Sequence, residues 1–209
     1  MKIAVLSETS AGDKNSHIVA ALAAVGGHEI INAGMTQKGG SPELTYIHTG
    51  LISAILLNLK RVDFVVGGCG TGQGFLNTVV QFPNVVCGHI VTPLDAWLFA
   101  QINGGNCVSL ALNQGYGWAG DVNLRFMFER LFSVEFGCGY PPERQESQQA
   151  SRKLLAGISR ATHRSMAEII ALLPDEVIRL ALDFPGVAAL IDVDTIDDSD
   201  LQQALRKRL

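Results

Sequence analysis

Along the chain, short runs of β-branched and apolar residues alternate with longer segments whose apolar positions recur every three or four residues. Lys2–Leu6 (KIAVL) is the first run, and it ends in the polar loop Ser7–Gly12 (SETSAG). Ile18, Ala21, Leu22 and Val25 then mark a helix closed by Gly26 and Gly27, and Glu29–Asn32 reads as a second strand. After the turn residues Gln37–Pro42, an apolar helical face is traced by His48, Leu51, Ile52, Ile55, Leu56 and Leu59. Phe64–Val66 begins a third strand, followed by a helix to about Gln81 and a fourth strand at Val85–Gly88. Pro93 fits the first turn of a helix carrying Leu94, Trp97, Leu98 and Ile102. Cys107–Leu112 gives a fifth strand, and Val122–Phe132 a further helix.

Strands alternating with helices in this way imply right-handed crossovers. The fold class is therefore α/β: a doubly wound, five-stranded parallel sheet, Rossmann-like, in three layers. Ligands of such sheets lie beyond the carboxyl ends of the strands, which puts Ser7–Gly12, Gly68–Gly74, His89–Pro93 and Asn113–Gly117 on one rim. From Glu146 onward the pattern is helical alone. Leu155, Ile158, Thr162, Met166, Ile169 and Leu173 read as one long helix ending at Pro174, with a shorter helix over Asp175–Asp183 and a basic helical tail over Leu201–Leu209. The division is an α/β domain over 1–145 and a helical extension over 146–209 that packs against the core or another subunit.

A chain of 209 residues with 47% hydrophobic content can bury one full core. Its net charge of -4 argues against nucleic acid or an anionic membrane as partner. No apolar run reaches the roughly 18 residues of a spanning helix, and no signal peptide precedes the first strand, so a cytoplasmic protein is expected. Cys69, Cys87, Cys107 and Cys138 are widely spaced without a CxxC pair, which predicts reduced thiols and neither zinc nor disulfides. The acidic run Asp192–Asp200 lacks the glycine and glutamate of a calcium loop and reads as a solvated linker with a helix cap.

The densest chemistry is VDFVVGGCGTGQGFLN, Val62–Asn77, where five glycines surround Cys69 and Thr71. Glycines let the backbone turn tightly and present N–H groups to an anion, and a thiol among such groups can have its thiolate stabilised. The same residues also fit a tight turn around a buried thiol. G-x-G-x-G is not the G-x-G-x-x-G of dinucleotide sites, and no G-K-[ST] follows, so no nucleotide cofactor is expected. A Cys-His hydrolase pair and proton abstraction beside a carbonyl both remain open on these residues.

The segment VDFVVGGCGTGQGFLNTVVQFP, with a later N-x-x-N before a strand, resembles the type B ribose-5-phosphate isomerase and galactose-6-phosphate isomerase family. That family reads roughly D-x-x-I-L-I-C-G-T-G-x-G-x-x-I-A-A-N-K-x-x-G, then H-N-D-x-N-V-L-x-L-G. The resemblance runs from about Ser41 to Arg144, and KIAV with the S-x-x-x-A-G loop extends it to the N-terminus; the tail after about Glu146 lies outside the usual family chain. It implies an aldose–ketose isomerase in which Cys69 moves a proton between C1 and C2 through an enediolate, with Thr71 and Glu8 as further catalytic candidates. Gly70, Gly72, Gln73, Gly74, Tyr46, Asn103 and Arg144 become substrate-binding candidates by the same match. His89, on the ligand rim, is a candidate replacement for a lost family histidine. No metal or cofactor is implied. The partner is a small sugar or sugar phosphate, and a homodimer or tetramer with shared sites is expected.

The departures are specific. The family's ring-opening histidine is Ile102 here, its Asp-His pair is replaced with a one-residue shift by Glu8-Thr9-Ser10, and two arginines become Tyr140 and Asn113. A substrate without a ring to open, or a non-catalytic sugar-binding partner subunit, are the alternatives these departures raise.

Overall fold

The computed structural model describes residues 1–209. Five parallel strands form one sheet: β1 (Lys2–Ser7), β2 (Glu29–Asn32), β3 (Phe64–Cys69), β4 (Cys87–Ile90) and β5 (Cys107–Ala111), in spatial order β2-β1-β3-β5-β4. The central β3 is buried at every residue, as a parallel strand covered on both faces must be. Its register sets Ser7 against Gly68 and Cys69 against Ala111. The chain winds outward to β2 after β1 and the other way after β3, so the switch point lies between their carboxyl ends.

One face is covered by α1 (Asn15–Val25), α4 (Pro93–Leu98) and α5 (Gly120–Leu131), around a core that includes Ile18, Leu22, Phe64, Val66, Val108 and Phe128. On the other face lie α2 (Tyr46–Asn58) and α3 (Gln73–Val79). The helical pattern in α2 predicts one apolar stripe, yet residues 48–57 are all buried. The reason is a second cover: the extension packs its own helices on the side of α2 away from the sheet, and Leu51, Leu56, Ile178, Leu182, Val187 and Ile191 share one cluster. A helix enclosed on all sides is apolar all round.

The extension contains α6 (Gln145–Thr162), α7 (Met166–Leu172), α8 (Asp175–Leu182), α9 (Val187–Ile191) and α10 (Ser199–Arg206). The single long helix expected through Met166 is two helices. His163 ends the first in an extended conformation, and Ser165 starts the second by taking Glu168 N–H while the Glu168 carboxylate takes Ser165 N–H. Asp198 caps α10 by accepting from the N–H groups of Asp200 and Leu201. A second correction concerns β4, which runs two residues later than expected, so His89 lies within the strand rather than after it. No helix is long and apolar enough to cross a membrane.

Candidate active site

Cys69 is the last residue of β3 and is 6% exposed, at the base of a loop whose Thr71 and Gln73 side chains are exposed. Its carbonyl accepts from Leu112 N–H (3.0 Å) and Gly72 N–H (3.3 Å), so the loop turns back at once over the end of β5. Gly72 has φ +76° and caps α3, and Ser109 Oγ donates to its carbonyl from the neighbouring strand at 2.5 Å. Gln73 N–H is taken by Thr71 Oγ1 (3.3 Å) and Gly70 N–H by Ser10 Oγ (3.1 Å). The N–H groups of Thr71 and Gly74 have no partner in the chain and remain available to an anion.

His89 reaches this loop from β4. Its Nε2 lies 3.0 Å from Thr71 O, which can only accept, so Nε2 carries the proton, and Nδ1 is left to accept from Gln73 Nε2 at 3.4 Å. Both ring nitrogens are thus occupied within the chain. Tyr46 opens α2, and a Cβ added to Gly74 would fall 2.9 Å from its ring, so the phenol borders the loop backbone. Glu8 continues β1 in extended conformation beside Cys69 and is 2% exposed; its Oε1 accepts the Ser10 hydroxyl.

Cys69, Gly70, Thr71, Gly72, Gln73, Gly74, Tyr46, His89 and Glu8 are therefore gathered at the switch point. Asn103 and Arg144 are not. Asn103 ends the turn before β5, at the amino edge of the sheet, and four residues of β5 at about 3.3 Å each separate that edge from the level of Cys69. Asn103 is exposed with no side-chain partner, and Arg144 is exposed, its side chain bonding only Ser147 Oγ (3.2 Å). Their surroundings are joined, since Gly139 N–H donates to Gln101 O (2.7 Å) and Gln145 Nε2 to Gly139 O (3.4 Å).

Ser10, Ser109 and Asn113 also belong to the site's framework, and sequence reading did not single them out as site residues. Asn113 Nδ2 donates to Ser10 O (2.9 Å), and its N–H donates to Gly70 O (2.9 Å). The available signals were the positions of Ser10 and Asn113 in the rim loops and at departures from the family pattern. Of the other thiols, Cys107 is fully buried opposite Cys87, and burial with the Cys87 thiol beside it holds it well above the usual thiol range. Cys138 is tied to Gln101 Oε1 at 2.7 Å. No three His, Cys, Asp or Glu side chains converge as a metal site.

Known proteins share this fold. A family model described as Ribose/Galactose Isomerase matches residues 3–131. The structure of a 4-deoxy-L-threo-5-hexosulose-uronate ketol-isomerase complexed with tartrate is 37% identical, with a TM-score of 0.93 over 100% of this chain and 99% of that one. A ribose-5-phosphate isomerase from Vibrio parahaemolyticus is 39% identical over the same shares, also with a TM-score of 0.93. Ribose-5-phosphate isomerase B from Clostridium thermocellum, at 19% identity and a TM-score of 0.64 over 77% of this chain and 99% of its own, shares the fold alone. Comparison with curated proteins finds no match. With the loop, the sheet order and the matched span in agreement, the chain belongs to the ribose/galactose isomerase family and is a sugar isomerase, an intramolecular oxidoreductase.

Proposed function

We propose that this isomerase acts on an open-chain ketol that bears a carboxylate, of the hexosulose-uronate type, with Cys69 as the base. Cys69 thiolate takes the proton from C2 of the aldose, electrons move into the C1 carbonyl, and the enediolate oxygen is held by Thr71 and Gly74 N–H. Glu8 shifts a proton between the two oxygens, and Cys69 returns its proton to C1 to give the ketose. The supporting observation is the pair of unpartnered amides two and five residues beyond a thiol at the switch point.

Two features favour this substrate. A 4-deoxy-5-keto sugar has no hydroxyl at C4 or C5 to close a furanose or pyranose ring on its C1 aldehyde, so the reacting carbonyl is not masked there and Ile102 can stand in place of a ring-opening histidine. A carboxylate also needs one bidentate guanidinium, which Arg144 can supply, where a phosphate is usually gripped by several. Asn113, at another family arginine position, is engaged with Ser10 instead.

Asn103 and Arg144 reach this site from a second copy. Support comes from their shared neighbourhood on the far edge of the sheet and from α6 beside it, which has no buried residue and exposes Leu154, Leu155 and Ile158. A homodimer with shared sites follows.

The test is exchange of the C2 proton of 4-deoxy-L-threo-5-hexosulose uronate into deuterated water. Native protein is expected to exchange it, and Cys69→Ala to lose about 10²–10⁴-fold, the usual worth of a positioned base. Exchange of ribose 5-phosphate but not of the uronate would overturn the substrate assignment. Uronate binding without Cys69-dependent exchange would mark a binding subunit instead.

A further inference from the structure

Ser10 occupies a place in the site that neither the substrate nor the base accounts for. Its hydroxyl donates to Glu8 Oε1 and accepts Gly70 N–H at 3.1 Å, while its carbonyl accepts Asn113 Nδ2–H at 2.9 Å. Gly70 O in turn takes the N–H groups of Asn113 (2.9 Å) and Gln114 (2.8 Å). One residue thus joins the carboxyl end of β1, the loop after β3 and the loop after β5, the three segments that must keep register for a proton to move between thiol, substrate and carboxylate.

Glu8 is almost wholly enclosed, and within the chain only Ser10 bonds its carboxylate. The other oxygen, Oε2, has no partner, yet His28 Nδ1 is the one side-chain polar atom both unpartnered and sealed from solvent. Glu8 Oε2 is therefore not sealed from solvent, and its direction is set by the bond on Oε1. On the loop side, Ser10 takes the Gly70 amide out of the anion cradle and leaves Thr71 and Gly74 N–H to serve it. With its proton given to Glu8 and a lone pair taken up by Gly70 N–H, the Ser10 hydroxyl has no proton left to donate to a substrate and acts through its neighbours.

We propose that Ser10 is a positioning residue of the isomerisation: it locks Glu8 to Gly70 so that the free Glu8 oxygen meets the substrate hydroxyls while the Gly70 amide is withheld from the enediolate. This rests on the isomerase reading above. Removal of the hydroxyl leaves substrate binding intact and lets Glu8 turn, so the loss falls on turnover rather than affinity.

The experiment compares native protein, Ser10→Ala, Ser10→Thr and Cys69→Ala in the C2-exchange assay with 4-deoxy-L-threo-5-hexosulose uronate. Amide hydrogen exchange at Gly70 and in β3 is followed alongside. For Ser10→Ala, kcat is expected to fall more than about tenfold with KM within about threefold, the pattern of an interaction realised in the transition state. Gly70 N–H should lose protection while β3 keeps it, and Ser10→Thr, which retains the hydroxyl, should recover both. A Ser10→Ala kcat within about threefold of native, with Cys69→Ala inactive, overturns the Ser10 assignment alone. Equal losses in Ser10→Ala and Ser10→Thr do the same. Exchange shared equally by native protein and Cys69→Ala overturns Cys69 as the base, and the role of Ser10 in positioning Glu8 and the loop around it.

Discussion

Gly72 illustrates how tightly single residues are bound to the loop's shape. Its φ of +76° lies where L side chains are rare, and an added Cβ would sit 2.5 Å from His89 Nε2. Alanine there must pay for the left-handed backbone and also push His89 off Thr71 O. Gly72→Ala is expected to lower stability by about 1–3 kcal/mol, read from the urea midpoint, with a loss of exchange activity alongside. Because His89 is the obstacle, the double variant Gly72→Ala/His89→Ala should lose less than the two single losses added together. Additive losses would mean that His89 does not set the loop. The loop was legible in the sequence because its parts are contiguous: one thiol, one hydroxyl and five glycines in a row. Ser10 and Ser109 were not, since serines carry no pattern of their own, and only the register of β1 and β5 against β3 brings their hydroxyls to the loop.

Among the elements, α2 carries an unusual cap. Thr45 and His48 form a reciprocal pair in which Thr45 N–H donates to His48 Nδ1 at 3.0 Å, so the imidazole fills the role of a capping glutamate or glutamine. Burial holds His48 below the usual histidine range, and burial does the same for His28, helped by the N-terminal amino charge. The unfolded chain therefore takes up these protons near pH 6.5 while the native state does not. Stability is fully present above that value and declines as pH falls from about 6.5 through the lower native values, because the unfolded state then binds more protons. The melting temperature should accordingly drop between pH 7.5 and 5.5. His48→Gln, which keeps an acceptor for Thr45 N–H without a proton to gain, should flatten part of that slope; an unchanged slope would remove His48 from the account. The elements themselves were readable where pattern and punctuation agreed, as at Gly26 after α1. They were misread where helical spacing ran on through a break, as between α6 and α7. There the signal was Ser165 followed three residues later by Glu168, a cap inside an uninterrupted apolar period.

At the scale of the whole molecule, the proposed dimer gives one chain two half-sites on opposite edges of its sheet. Cys69, Glu8 and the amide loop lie at the carboxyl edge, Asn103 and Arg144 at the amino edge. The sequence aligned all five with one site but carried no sign of which copy supplies each, because a match of residues says nothing about the chain they come from. Leu155 and Ile158 of α6 gave the same ambiguity, since their spacing left open whether the extension packs against the core or another subunit; with Leu154 they are exposed in the single chain. If two copies close on each other symmetrically, residue for residue, each complete site takes Cys69 from one chain and Arg144 from the other. Cys69→Ala and Arg144→Ala homodimers should then both be inactive toward the uronate. Mixed in equal amounts and allowed to exchange subunits, half of the dimers become hybrids. In each hybrid one site carries both defects and the other carries neither, so about a quarter of native activity should return. Leu155→Ser/Ile158→Ser, which makes the α6 face polar, should shift the protein toward monomer in sedimentation and prevent that recovery. Activity that stays absent on mixing, from chains shown by sedimentation to be dimers, would mean that Arg144 never reaches a neighbour's Cys69, and the carboxylate grip would have to be sought within the chain.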